Sequence, residues 1–182
     1  AAPLRPEAAS VLHQLHKLGI RNTVMMTGDS YRTAEAIAKQ VGVDQFFAEV
    51  LPEDKANFVQ KAKAEGHTVV MIGDGINDSP ALSAADIGIA INSGAAIARE
   101  IADVTIKADS LEELVFLKTV ANALQHRVSA NYRFVLSFNS TLIALGALGI
   151  LSPATSAMLH NLSTLGISLR SMTDLLEQKP LQ

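Results

Sequence analysis

Apolar and polar positions alternate between a helical and a strand period along the first two thirds of this chain. Leu4, Ala8, Val11, Leu12, Leu15 and Leu18 recur at helical spacing and Gly19 follows as a stop, which predicts an amphipathic helix. Residues 22–26 then read as a buried strand, and Ala34, Ile37, Ala38 and Val41 form the apolar stripe of a helix that starts near Tyr31 and ends at Gly42. A short strand is expected over 46–50, a helix opening at Pro52 and running through Val59 and Ala62, and a buried strand over 69–72. Residues 87–91 predict another strand, 92–94 a turn, 95–102 a helix and 104–106 a short edge strand. Helix and strand alternate throughout, so right-handed crossovers and a mostly parallel, three-layer Rossmann-like α/β sheet are expected.

The last third follows a different pattern. From Leu111 a long helical repeat runs past Lys118 and Arg127, and residues 132–151, YRFVLSFNSTLIALGALGIL, carry one charge, Arg133, over about the length needed to cross a bilayer. Ser152 and Pro153 break the run, and a second apolar stretch over 154–169 ends at Arg170. The expectation is a transmembrane helical hairpin, with a lipid bilayer as partner and a multi-pass, plasma-membrane location. Cations flank the outer ends and none lies in the turn, which places residues 1–131 and the tail in the cytoplasm. The organisation expected is therefore 1–109 an α/β domain, 110–131 a linking helix, 132–170 the hairpin and 171–182 a tail. Two buried core helices are the competing reading of the same stretch.

Composition agrees with that division. Of 182 residues, 48% are hydrophobic and only 18% charged, and the mean hydropathy is +0.23. The charges crowd into the first two thirds. A net charge of -3 without a basic cluster makes no electrostatic case for nucleic acid as a partner. The absence of cysteine excludes disulfides, zinc–thiolate sites and thiol nucleophiles within this chain. The opening AAPLRPEAAS has neither an initiator Met nor a signal-peptide pattern and is already in helical phase, which suggests a piece of a longer chain.

The candidate chemistry gathers in VVMIGDGINDSPAL, residues 69–82. Gly73 and Gly75 bracket Asp74, so the backbone can turn sharply and approach a bound group. Asn77 or Asp78 can cap the next helix, with Pro80 tolerated in its first turn. Two carboxylates and a carboxamide at the carboxyl end of a buried strand suit Mg²⁺ and, with it, phosphoryl transfer. A tight turn whose Asp and Asn only cap a helix is the plainer reading. Thr27-Gly28-Asp29 ends the strand over 22–26 in the same way and offers a hydroxyl and free N–H groups for an anion. Lys55 sits in a first helical turn, where a cation opposes the macrodipole, and could neutralise charge on a transferring phosphoryl group or simply be a solvated lysine. In the predicted spans Asn139, His160 and Asn161 are expensive in hydrocarbon, and they fit either an ion path, with imidazole suiting a transition metal, or hydrogen bonds between helices. His13 and His16, at i and i+3, are read as surface or packing residues.

Taken together, Thr27-Gly28-Asp29, then Pro52-Glu53-Asp54-Lys55, then Gly73-Asp74-Gly75-Ile76-Asn77-Asp78 followed by Ser79-Pro80-Ala81-Leu82 resemble the phosphorylation domain of P-type ATPases in order and spacing. The stretch 85–104 and the closing hairpin are most similar to the heavy-metal-transporting branch. The resemblance implies a haloacid dehalogenase-like fold and the use of ATP and Mg²⁺. It implies that Asp74 holds Mg²⁺ with Asp78 in support, that Thr27 and Lys55 contact the phosphoryl group, and that Asn77 bonds in the same site. Gly28 and Asp29 would lie at the nucleotide-facing edge. The family's nucleophile, the Asp of a DKTGT motif, does not occur here. The chain is therefore expected to be a C-terminal fragment, inactive alone, whose partner is the missing N-terminal part of the same polypeptide. The implied cargo is a transition-metal ion, with a divalent ion favoured over copper because Phe138-Asn139 and His160-Asn161-Leu162-Ser163-Thr164 depart from the copper pattern. Two rivals are a soluble phosphatase of the same superfamily acting on small phosphate esters, and a non-catalytic membrane scaffold.

Overall fold

The apolar stripe near the amino terminus folds as α1 (Ala8–Lys17), which buries Ala8, Val11 and Leu15. The structure, a computed structural model, describes residues 5–73, 77–91, 100–106 and 111–176. The chain forms two units, Ala1–Leu117 and Lys118–Gln182.

In the first unit β1 (Val24–Met26) is followed by α2 (Tyr31–Val41), β2 (Gln45–Phe47), α3 (Pro52–Ala64), β3 (Val70–Gly73), α4 (Ser79–Ala84), β4 (Ile87–Ile91) and β5 (Val104–Ile106). Every pairing is parallel, as an alternating βα order dictates. Val24 stands opposite Gln45 and Met26 opposite Phe47. Val70 stands opposite Ile87, and Ile89 opposite Val104.

The single sheet expected from the sequence is instead two ladders, β1-β2 and β3-β4-β5. Strand β2 is also shifted and shortened relative to the expected 46–50, because Glu49 takes a left-handed φ of 55° that no extended strand tolerates. Strand β1 starts late because the Thr23 N–H donates to the Asp44 carboxylate at 2.7 Å rather than to a ladder partner. Both ladders nonetheless share one core: Val59, Met71, Ala81 and Leu82 are buried together, with Met26 of β1 packed against them. Val59, Met71 and Leu82 each contribute about 1.5–3 kcal/mol on burial. Gly88 lets β4 pass beneath the end of α4, since a Cβ there would stand 2.8 Å from the Leu82 carbonyl oxygen. A second cluster, Ile89, Ile106 and Leu114, closes the far side of β4 and β5. The helix expected over 95–102 lies largely outside the described residues.

The second unit holds most of α5 (Glu112–Ala147) and α6 (Pro153–Ser171). Within it the two helices run antiparallel, with Arg127 donating to the Thr173 and Asp174 carbonyls at 2.6 Å each and Asn131 donating to Ser171 at 3.1 Å. Ser152 caps α6 by accepting from the Thr155 N–H at 3.2 Å.

This hairpin corrects the expectation of a transmembrane pair over 132–170. No helix among the described residues is long and apolar enough to cross a membrane. The apolar run of 132–151 is not one helical span, because α5 stops at Ala147 and the chain turns through Leu148 and Gly149. Within the helices Ser137, Asn139, Ser140 and Thr141 dilute α5, and Thr155, Ser156, His160, Asn161, Ser163, Thr164 and Ser168 put polar groups on every turn of α6. With the spans go the lipid bilayer as a partner, the multi-pass plasma-membrane location, the assignment of 1–131 and the tail to the cytoplasm, and the membrane-scaffold rival. All four presupposed the two spans, which were read from apolar residues counted along the sequence rather than along helices.

Candidate active site

Asp78 is the best-placed acidic group of the described residues. It occupies the N-cap position of α4 and its carbonyl accepts from the Leu82 N–H at 2.8 Å, but its side chain makes no capping bond. The carboxylate turns instead to Lys55, whose Nζ donates to Asp78 Oδ1 at 2.6 Å. Only 14% of the lysine side chain and 12% of the aspartate side chain are exposed. Lys55 reaches the pair from the first turn of α3, so its unfavourable place at a helix start is offset by a desolvated ion pair.

Gly73, the last residue of β3, makes room for this arrangement. A Cβ at that position would stand 2.5 Å from Asp78 Oδ2 and 2.7 Å from Asp78 Cβ. A side chain there would displace the carboxylate, so the glycine before Asp74 serves its neighbour across the turn. The sequence reading credited Gly73 only with backbone freedom and missed this steric role; nothing in the one-dimensional pattern reports a contact five residues on.

Thr27 stands at the end of β1, its N–H donating to the Phe47 carbonyl at 3.0 Å. Its hydroxyl accepts from the Asp29 N–H at 3.1 Å and donates to Asp29 Oδ2 at 3.3 Å, which fixes the Thr27-Gly28-Asp29 loop. That loop is bonded to the next one, with Glu49 N–H donating to the Asp29 carbonyl and Val50 N–H to the Thr27 carbonyl, each at 3.0 Å. Gly28 is exposed and Asn77 is exposed beside Asp78. The structure thus brings Lys55 and Asp78 together, while Thr27 bonds within its own loop; Asp74, Gly75 and Ile76 lie outside the described residues. Asp78 and Asn77 are hard oxygen donors, a set that fits Mg²⁺.

In the second unit His160 Nδ1 donates to Asn139 Oδ1 at 3.0 Å, joining two of the three side chains singled out for a cargo ion. Asn161 is exposed, and no group of three His, Asp or Glu that could hold a metal occurs among the described residues. A network the sequence did not suggest ties α1 to the first ladder: Thr23 N–H and hydroxyl both donate to Asp44 Oδ2, at 2.7 and 2.8 Å, with His16 Nε2 3.4 Å away. Those hydrogen bonds from the Thr23 hydroxyl and N–H hold the Asp44 carboxyl below its ordinary range. Asp86 is lowered likewise, first by the Val69 N–H and then by Lys63.

Comparison with known proteins extends these observations. The haloacid dehalogenase-like hydrolase family matches residues 1–86. The chain is 42% identical over 165 residues to a manganese-exporting P-type ATPase of Mycobacterium leprae, covering 90% of this chain and 23% of that protein. It is equally similar to a zinc-exporting P-type ATPase of Mycobacterium marinum, of which it covers 22%. A copper-transporting ATPase of Arabidopsis thaliana is 41% identical over 159 residues, 87% of this chain and 16% of that one. Among solved structures, a zinc-transporting PIB-type ATPase in the E2.Pi state superposes with a TM-score of 0.81 at 33% identity, over 93% of this chain and 28% of the other. A 3-deoxy-D-manno-octulosonate 8-phosphate phosphatase from Moraxella catarrhalis, at 22% identity and a TM-score of 0.52, shares the fold. The chain spans about a quarter of the length of the curated relatives it matches.

Proposed function

We propose that this chain serves as part of an ATP-driven transition-metal cation pump that works through an aspartyl-phosphate intermediate, with the acceptor aspartate outside these 182 residues. The observation that carries the reading is the buried Lys55–Asp78 pair, made by two of the motifs that resemble those of P-type ATPases. Likeness to the pumps runs over 90% of the chain at 42% identity. The likeness to a small-molecule phosphatase reaches only 22% identity and speaks for the fold, so the phosphatase rival is set aside.

In the proposed reaction an acceptor carboxylate oxygen bonds to the γ-phosphorus of ATP as the bond to the ADP oxygen breaks, and water later releases the phosphate from the aspartyl ester. Charge spreads over the transferring group's oxygens, and positioned cations and donors stabilise it. Lys55 supplies the cation, which requires it to exchange Asp78 for the phosphoryl group, and Thr27 supplies a hydroxyl. Mg²⁺, held by Asp74 with Asp78 in support and Asn77 bonded nearby, would neutralise phosphate charge. Gly28 and Asp29 form the nucleotide-facing edge of the site. Among the described residues β1 and β3 each pair with one neighbour, and this reading requires a strand carrying the acceptor to pair beside them. On this reading the chain is inactive alone and needs the rest of its polypeptide.

The cargo is a transition-metal ion, and His160 is its candidate ligand, with Asn139 and Asn161 beside it. With Nδ1 engaged by Asn139 Oδ1 at 3.0 Å, Nε2 is the ring nitrogen left to coordinate. The test is ATP hydrolysis by the full-length protein with Zn²⁺, Mn²⁺ or Cu⁺ added singly. Stimulation by at least one of them is expected; hydrolysis indifferent to every ion, alongside cleavage of small phosphate esters, would return the phosphatase reading.

A further inference from the structure

Away from the Lys55–Asp78 pair, a surface cavity of about 390 Å³ lies between α3 and the first ladder. That volume falls within the range of roughly 300–1,000 Å³ usual for small-molecule sites. Asp54, Asn57, Phe58 and Lys61 fall at i, i+3, i+4 and i+7 on one face of α3 and line the cavity, while Ala56 and Val59 on another face enter the core.

We propose that this cavity binds a small organic ammonium ion with an aromatic body. Phe47 and Phe58 line it, their rings in tilted contact with centroids 5.1 Å apart and planes at 56°, and aromatic rings of this kind attract a cation placed over a face. Met26 and Val50 extend the apolar lining. Two carboxylates, Glu49 and Asp54, stand against one ammonium, Lys61, so the lining is net negative. Neither carboxylate has an ion-pair partner among the described residues. Glu49 is also the described non-glycine residue held at positive φ, 55°, and strained backbone of this kind gathers at ligand sites. Its N–H and that of Val50 hold the Thr27-Gly28-Asp29 loop, so an occupant touches a wall continuous with that loop.

The inference stands apart from the pump reading, because binding is measured on the chain itself without ATP. The chain has no tryptophan, so the fluorescence of an added indole is seen without background. Titration of the 182-residue chain into tryptamine is expected to give a saturable blue shift, with tryptophol, the same ring bearing a neutral hydroxyl, binding about tenfold more weakly. Glu49→Gln with Asp54→Asn should bring tryptamine down to the level of tryptophol, and Phe58→Leu should weaken tryptamine severalfold. Equal binding of the two indoles by the unaltered chain, or no saturable shift with either, would overturn the proposal. So would tryptamine binding unchanged in the Glu49→Gln, Asp54→Asn chain, which keeps every apolar contact and decides the matter even if Phe58→Leu does not fold.

Discussion

The Cβ of Asp78 lies where a side chain at Gly73 would have to go: the two Cβ atoms would be 2.7 Å apart. The pair is thus locked together sterically, and the position of the carboxylate depends on the absence of a methyl group across the turn. Gly73→Ala is expected to cost about 1–3 kcal/mol of stability, the usual range for overpacking. It should also reduce ATP turnover by the full-length protein. Chemical unfolding of Gly73→Ala made in the unaltered chain and again in an Asp78→Gly background, where the same space is free, separates steric displacement from a general backbone effect; an equal further loss in both backgrounds would discard the steric account.

Breaking the Lys55–Asp78 pair from one side leaves a charge buried without its partner, a change that costs about 3–5 kcal/mol. Lys55→Met is expected to show that loss in urea unfolding, and Lys55→Met with Asp78→Leu to recover most of it. Additive losses in the double variant would mean that the two side chains do not act as a pair.

Two carboxylates set the acid limit. Asp44, held by the Thr23 hydroxyl and N–H, and Asp86, held by the Val69 N–H and Lys63, both lie below their ordinary value of 3.8 in the folded chain. Their contribution is complete above pH 3.8 and is lost as pH falls below it, through the lowered folded values. Stability measured between pH 5 and 2 should therefore fall less steeply in Asp44→Asn and in Asp86→Asn than in the unaltered chain; an unchanged slope would remove both groups from the acid response.

His160 and Asn139 test the proposed cargo site. His160→Ala is expected to lower metal-stimulated ATP hydrolysis by tenfold or more at subsaturating ion, an effect of about 1.4 kcal/mol on binding. Asn139→Ala should do less, because it removes the hydrogen bond that orients the ring and not the coordinating nitrogen. Wild-type metal dependence in both variants would return the pair to helix packing.

The parts of this molecule that were legible in advance are those set by local period and punctuation. Strands 87–91 and 104–106 match β4 and β5, and the helices expected near Tyr31 and Pro52 begin there. A parallel βα order brings the carboxyl ends of strands to one rim, but that Lys55 meets Asp78 there is a pairing the order does not name. What could not be read depends on contacts between distant residues or on conformation. The left-handed turn at Glu49, the loan of the Thr23 N–H to Asp44 and the diversion of the Asp78 carboxylate from its cap all need neighbours that a linear pattern does not name. The hairpin misled for another reason. Hydropathy summed over 132–151 ignores that the helix ends at Ala147 and that each helix carries hydroxyls and amides at short intervals.

The central claim, that Lys55 and Asp78 serve phosphoryl transfer to an aspartate, is tested most directly by acid-stable labelling of the full-length protein with γ-labelled ATP and Mg²⁺. Unaltered protein should incorporate label that hydroxylamine removes, as an acyl phosphate requires, while Lys55→Met and Asp78→Ala should each lower it by at least about a hundredfold. Full labelling in both variants, or no hydroxylamine-sensitive label in the unaltered protein, would contradict it.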